Sequence, residues 1–301
     1  MAAAPHRIAV AINPQASFGA RSDVGPRVVS ALEKAGYSVS AFREPDLNAL
    51  RSVVRSAIDE GEVDALVVVG GDGMVSFGAN LLAETSIPLG IVPTGTGNDM
   101  ARGLELPFKD PDAAIASLLA ALNRGPRIID LGKATRDGTV TWFASALSAG
   151  FDAVVNDRAN RMSWPRGASR YTLAILRELL TFKPISYTMN VDGDNSSPRA
   201  MLISVANNGS IGGGMRIVPD CELDDGELDL FVVGPLGRLA FLRVLPKVFS
   251  GTHTSLPFVS IVRAKRVSLD APGITAYADG EKVGPLPVEV EVVPGALRVL
   301  A

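Results

Sequence analysis

Ala65-Leu66-Val67-Val68-Val69 runs directly into Gly70-Gly71-Asp72-Gly73, and Leu89-Gly90-Ile91-Val92-Pro93 runs directly into Thr94-Gly95-Thr96-Gly97-Asn98-Asp99. Short apolar runs bounded by Gly and Pro read as strands buried on both faces, the pattern of a parallel sheet. Both glycine turns then lie at strand ends, where an open parallel sheet receives its ligands. Glycine lets backbone N–H groups approach phosphate oxygens that a Cβ would hold off. The two turns therefore read as a phosphate-handling site, and an aspartate in each gives it a means of holding Mg²⁺ or orienting a nucleophile.

Working outward, the chain to about Leu131 alternates strand-like and helix-like segments. Strands are expected at Arg7–Asn13, Ser38–Phe42, Ala65–Val69 and Leu89–Val92. Helices are expected at Gly25–Ala35, Asp46–Glu60 with an Asp cap, Met74–Glu84, a short stretch from Asn98 to Gly103, and Asp112–Leu122. This half is an α/β domain with a doubly wound, Rossmann-like parallel sheet. Beyond Asp130 the texture changes to short strands set off by Gly, Pro, Asn and Asp: Thr139–Leu147, Ser186–Val191, Ala200–Ala206, Leu228–Val233, Val259–Leu269, Thr275–Ala278 and Val288–Val293. Only Ser169–Phe182 and Arg238–Phe249 read as helices there. That half is a mainly antiparallel β-sandwich. The expected domains are 1–131 and 132–301, with the last strand, near 292–301, free to return to the first domain.

A chain of 301 residues with 47% hydrophobic and 20% charged residues is an ordinary folded protein, large enough for two cores. A net charge of −3 provides no footprint for wrapping nucleic acid. The single Cys221 excludes an internal disulfide, and His6 and His253 are too far apart in sequence to suggest zinc. The first residues lack the form of a signal peptide, because the apolar stretch after Arg7 is cut short at Asn13-Pro14. No apolar run approaches the roughly 18 residues that span a bilayer. The expectation is a cytoplasmic protein that meets the inner face of the membrane peripherally if its substrate is lipid; a homodimer is left open.

Gly-Gly-Asp-Gly alone also suits a tight turn. Its place between a buried strand and a helix N-terminus gives it more weight, since several N–H groups there lack helical partners and accept an anion. Asp99 serves either as a first-turn acid favoured by the helix dipole or as part of a metal and phosphate site. A carboxylate beside phosphate calls for a cation between them, hence Mg²⁺. Arg158, Arg161, Arg166 and Arg170, interleaved with Met162 and Trp164, read either as a solvated connection or as a basic and aromatic lip for lipid headgroups. His253, in a Gly-Thr-His-Thr loop, reads as ordinary surface.

These turns resemble the diacylglycerol kinase catalytic family, which includes bacterial lipid kinases and sphingosine and ceramide kinases and is related more distantly to NAD kinases. Further matches follow in order: Ile128–Lys133 with Asp130, the stretch from Asn208 to Leu230 containing Gly212-Gly213-Gly214-Met215 and Leu223-Asp224-Asp225-Gly226-Glu227, and Ala278-Asp279-Gly280-Glu281. The resemblance implies an ATP- and Mg²⁺-dependent lipid kinase of phospholipid metabolism. Its nucleotide lies on the first domain, the lipid alcohol enters between the domains, and diacylglycerol is the default acceptor.

Carried over by position, the resemblance places nucleotide on Asn13, Gly71, Asp72, Gly73, Thr94, Gly95 and Thr96. It places Asp72, Asp99 and Asp130 in an acidic cluster around Mg²⁺, and offers Glu281 and Asp72 as competing general bases. A structural Mg²⁺ is implied at Asp225, with the backbone carbonyls of Glu222 and Glu227 beside it. Met74-Val75-Ser76-Phe77 stand where the family has Thr, an apolar residue and Asn-Glu, with Asn80 still in register. Residues 15–19 lengthen the Asn-Pro turn and leave Arg21 as the nearest cation. Two other readings stand beside the lipid kinase: an NAD kinase-like enzyme, and a regulator that binds lipid or nucleotide without turnover.

Overall fold

Three apolar runs, Arg7–Ile12 (β1), Ala65–Gly70 (β3) and Leu89–Pro93 (β4), and the more exposed edge strand Ser38–Phe42 (β2) pair as parallel strands in the order β2-β1-β3-β4. Val24–Lys34 (α1), Leu47–Asp59 (α2), Asp72–Leu82 (α3), Asp99–Gly103 (α4) and Pro111–Arg124 (α5) complete this half. The structure is a computed structural model that describes residues 6–13, 23–151 and 183–301, with positions 153, 155, 158, 162, 164, 173 and 177. Pro14, the extended turn at 15–19 and Arg21 lie outside the described residues. So do Arg161, Arg166, Arg170 and most of the helix expected over Ser169–Phe182. The chain divides into two units, Met1–Ile129 with Gly295–Ala301, and Asp130–Pro294.

In the first unit, strand alternation sorts side chains onto the two sheet faces. Ile8, Val10, Ile12, Val67 and Val69 pack with Val24, Val28 and Leu32 of α1 and with Ile115, Leu118 and Leu122 of α5. The opposite face carries α2 and α3, where Arg51 lies 5.9 Å over the Phe77 ring. Each such aliphatic side chain contributes about 1.5–3 kcal/mol when fully buried. Asp46 and Asp110 cap α2 and α5 by accepting two backbone N–H bonds each, a device worth about 1 kcal/mol per helix. The connection from β1 moves one way along the sheet and the connection from β2 moves back the other, so the switch point lies between β1 and β3. Asn13 stands there, its N–H donating to Val69 O at 3.1 Å.

The second unit begins within Arg127–Arg136 (β5), followed by Thr139–Phe143 (β6) and Ala146–Gly150 (β7). Next come Ile185–Ser186 (β8), Thr188–Val191 (β9), Asp194–Ser196 (β10), Arg199–Ala200 (β11) and Leu202–Ala206 (β12). Ser210–Ile211 (β13), Met215–Arg216 (β14), Leu228–Val233 (β15) and the helix Arg238–Ser250 (α6) precede Val259–Ala264 (β16) and Arg266–Asp270 (β17). Thr275–Ala278 (β18), Glu281–Pro285 (β19) and Val288–Leu300 (β20) close the chain; the end of β20 belongs to the first unit, where Val299 and Leu300 pair in parallel with Leu89 and Gly90 of β4.

One antiparallel sheet runs β16-β15-β12-β7-β18-β19. A second layer is built on β10-β9-β17 and the first part of β20. Between them Leu147, Ile203, Val205, Leu228 and Leu230 meet Val267, Leu269, Val288 and Val290 in one apolar core. This is a β-sandwich. Three of its hairpins share one turn chemistry: Asp137-Gly138, Asp192-Gly193 and Asp279-Gly280 all hold both residues at positive φ, the pair that matches the twist of two-residue hairpins.

The structure corrects several expectations here: Ser186–Val191 is broken at Tyr187 and Ala200–Ala206 at Met201, and three further corrections have a visible cause. Thr139–Leu147 is two strands, broken at Ala144-Ser145, and Val259–Leu269 is two strands, broken at Lys265. In each case backbone N–H groups at the corner donate to a distant carboxylate, Asp279 or Asp192. His253 is fully buried: its ring meets Phe231 edge-on at 5.4 Å and its Nε2 lies 3.0 Å from Ile217 O.

Candidate functional site

The glycine turns of the first unit meet backbone to backbone. A Cβ on Gly95 would stand 2.5 Å from the Gly71 Cα, and one on Gly71 would stand 3.0 Å from the Gly95 Cα. Neither turn tolerates a side chain at that point. Thr94 N–H donates to Gly70 O at 2.8 Å, and Asp72 Oδ1 accepts the Met100 N–H at 3.2 Å, so both strand ends are held in register. Asn98 stands at the N-cap of α4, yet its side chain makes no capping bond to that helix. It sits at φ 53° and clasps Gly95, accepting its N–H at 3.1 Å and donating to its carbonyl at 2.8 Å. The left-handed conformation suits Asn, and the clasp gives the glycine turn its shape.

At the head of α3 the geometry opens. Gly71 is the N-cap, with no side chain to take up the first amides, and a Cβ on Gly73 would meet nothing within 4 Å. The Met74 N–H donates to Gly71 O at 2.9 Å, while those of Asp72 and Gly73, at the start of the helix, have no helical partner, so this cradle fits a phosphate group. Thr94 and Thr96 stand at its margin, half-buried and exposed. Met74 and Phe77, the departures in α3, are core residues: both are buried, and Met74 Cγ occupies the place where a Gly70 Cβ would be. Asn80 donates to Ser76 O at 2.9 Å. Asp99 is buried, with Arg102 Nε 3.7 Å from its carboxylate.

The second unit carries the other candidates. Asp130, buried on β5, accepts the Gly226 N–H at 2.7 Å and donates its own N–H to Leu223 O at 2.7 Å. It thereby ties β5 to the 223–227 loop. Asp225 Oδ1 accepts the Glu227 N–H at 3.0 Å, and both Asp225 and Glu227 form ion pairs with Arg263. Glu222 is exposed beside them. No group of three or more His, Cys, Asp or Glu side chains able to hold a metal is gathered among the described residues. The hard oxygens of Asp72, Asp99 and Asp130 are nevertheless the donor chemistry that Mg²⁺ takes. Glu281 is exposed at the first position of β19, opposite Ala278.

Two further residues hold this unit together: Asn207, which carries no sequence signal, and Asp279, whose motif pointed to Glu281 and not to its own bonds. Asn207, fully buried after β12, donates to both Asp130 O and Ala144 O at 3.0 and 3.1 Å. Asp279 binds three consecutive backbone N–H groups, those of Ala144, Ser145 and Ala146. Burial pushes the Cys221 thiol up, beside an Asp229 carboxyl raised for the same reason, which disfavours the thiolate form. Trp164 and Arg158 are exposed, and among the described residues no helix is long and apolar enough to cross a membrane.

Comparison with known proteins agrees with this arrangement. Residues 7–134 match the diacylglycerol kinase catalytic domain, and residues 145–301 match the YegS C-terminal NAD kinase beta sandwich-like domain. A diacylglycerol kinase of Mycobacterium tuberculosis is 39% identical over 98% of this chain and 94% of its own length. A probable YegS-like lipid kinase of Stenotrophomonas maltophilia is 30% identical over 82% of this chain and 81% of its own. The crystal structure of a putative diacylglycerol kinase from Bacillus anthracis has the same fold, with a TM-score of 0.79 at 22% identity over 99% of this chain and 98% of that one.

Proposed function

The chain belongs to the diacylglycerol kinase family of lipid kinases, and from that premise we propose that it transfers the γ-phosphate of ATP, with Mg²⁺, to the hydroxyl of a lipid alcohol. Diacylglycerol is the acceptor we favour, giving phosphatidic acid. The observation that carries this reading is the contact of Gly71 with Gly95, which holds two glycine turns against each other beside an open helix N-terminus.

In this reading the amides at the head of α3, with Asn13, Thr94, Gly95 and Thr96, bind the nucleotide. Phosphoryl transfer asks chiefly for positioning and charge neutralisation. Asp72, Asp99 and Asp130 are the residues that would hold Mg²⁺, which when bound offsets charge on the phosphates. Asp72 already has one oxygen on the Met100 N–H. Glu281 is exposed and is the better general base, receiving the proton of the acceptor hydroxyl at a carboxylate oxygen. The 222–227 loop is proposed as a second Mg²⁺ site, held by the Asp225 side chain and the carbonyls of Glu222 and Glu227. The work would be done at the surface of the cytoplasmic leaflet.

The test is transfer of label from γ-labelled ATP to a panel of diacylglycerol, ceramide, a sphingoid base and NAD, with Asp72→Ala alongside. Label in diacylglycerol, lost in Asp72→Ala, is the expected result. Label in NAD alone would replace the lipid reading with the NAD kinase one, and label in no acceptor would leave a binding protein.

A further inference from the structure

Three Asp-Gly hairpins occur in the second unit, and two of their aspartates reach out of the hairpin to hold another part of the chain. Asp192 accepts the N–H groups of Lys265 and Arg266 and so fixes the corner between β16 and β17. Asp279 does the same at the corner between β6 and β7, with a denser set of bonds. Its Oδ2 accepts the Ala144 N–H at 2.8 Å, and its Oδ1 accepts those of Ser145 and Ala146 at 2.8 and 3.1 Å. Its own N–H donates to Ala146 O at 3.0 Å. Successive N–H groups converging on a carboxylate form a compact anion nest, and bonds to an ionised acceptor are the stronger kind.

The two clamps differ in what stands next to them. Beyond Asp279-Gly280, both at positive φ, the next residue is Glu281. The corner that Asp279 grips is also bound by Asn207, which links Ala144 O to Asp130 O, while Ser145 O accepts the N–H groups of Asn207 and Asn208. One corner thus braces the backbone at two of the acids in the proposed reaction, Asp130 through Asn207 and Glu281 through Asp279. Glu281 itself is exposed and starts an edge strand. Its backbone position is therefore set by the turn before it, and that turn is held by the Asp279 carboxylate.

We propose that Asp279 is a positioning residue: by binding the N–H groups of residues 144–146 it locks the Asp279-Gly280 turn and so fixes where the Glu281 carboxylate stands. The proposal rests on the reading of Glu281 as the base. An acid that acts only through another loses its effect when the other is gone.

The experiment is a double-mutant cycle on the full chain, reading kcat and KM for ATP and lipid together with Tm. Glu281→Gln is expected to lower kcat by about two to four orders of magnitude. Asp279→Asn keeps one acceptor oxygen and loses the other; it is expected to lower kcat by roughly tenfold or more with KM for ATP unchanged, and to add nothing in the Glu281→Gln background. Gly280→Ala, which forces a side chain onto a residue at φ 84°, strains the same turn without removing the clamp and is expected to show the same dependence on Glu281. Asp192→Asn is the control, lowering Tm with kcat unchanged. If Asp279→Asn and Gly280→Ala lower kcat equally in both backgrounds, or lower only Tm, the positioning role is overturned while the base reading stands. If Glu281→Gln leaves kcat unchanged, the base reading itself falls and the proposal with it.

Discussion

The turns of the first unit and those of the second solve the same problem in opposite ways. Gly71 and Gly95 bring two turns together by having no side chains, so the N–H groups at the head of α3 stay available. Asp279 and Asp192 bring corners together by spending N–H groups on a carboxylate. A helix head that must receive an anion keeps its first amides free, whereas a corner that must hold still fills its amides with an anion from the chain itself. The difference separates binding turns from bracing turns by the fate of their amides.

Breaking the binding turn is expected to have the largest effect. Gly95→Ala puts a methyl 2.5 Å from the Gly71 Cα, which is backbone and cannot swing aside. Overpacking of this kind costs about 1–3 kcal/mol of stability, and because the cradle itself is displaced, kcat/KM for ATP is expected to fall by about a hundredfold or more. Gly73→Ala sharpens the point. Its methyl meets no protein atom, and alanine in a first helical turn stabilises by up to about 1 kcal/mol over glycine. A variant with raised Tm and weakened ATP binding would show that the space beside Gly73 belongs to the ligand; full ATP binding would place the phosphates elsewhere.

Breaking the bracing turn at Asp192, which has none of the proposed reactive acids beside it, is expected to cost stability alone. Asp192→Asn leaves Lys265 and Arg266 sharing a poorer acceptor, at about 1–3 kcal/mol for bonds made to a charged group. Urea unfolding followed alongside kcat checks it, with the midpoint shifted and turnover unchanged.

The contrast also explains what was legible in the sequence. The strands β1, β3 and β4 are visible as apolar runs because both of their faces are buried, whereas β2 is an edge strand with no buried residue; the contact between the two glycine turns is visible because only glycine permits it. The breaks at Ala144-Ser145 and at Lys265 are invisible because their causes, Asp279 and Asp192, lie far away along the chain. Asn98 looks like a cap and is a clasp, since Asn at positive φ can reach back to Gly95. His253 looks like surface because nothing local announces Phe231 and Ile217, which bury it. Residues that act through long-range backbone bonds have no local pattern to betray them.

A smaller effect is expected at the 222–227 loop, where Arg263 already pairs with both Asp225 and Glu227. A divalent ion there has to compete with that guanidinium. Millimolar MgCl₂ is expected to raise Tm modestly, and more in Arg263→Gln, whose loop has lost its own cation; Asp225→Asn is expected to abolish the rise. An unchanged Tm in both wild type and Arg263→Gln would mean that the loop takes no cation and that Arg263 serves in its place.

The smallest effect concerns a bracing carboxylate at the opposite end of the parallel sheet from the phosphate cradle. Asp64 accepts the N–H groups of His6 and Arg7 and pairs with the Arg7 side chain at 2.6 Å, closing the start of β1 against β3. The Arg7 side-chain bond is the largest influence in holding the Asp64 carboxyl down at about 2. Its folded-state value thus lies below that of an unfolded aspartate, about 3.9. The stabilisation is fully present above pH 4 and is lost as the pH falls toward 2. Asp64→Asn removes it at every pH, so wild type and variant are expected to differ in Tm at pH 7 and to converge as the pH approaches 2. Arg7 is half exposed, and solvent screening keeps the difference small. Curves that stay parallel down to pH 2 would assign the brace to backbone geometry alone, because only a titrating carboxylate makes them meet.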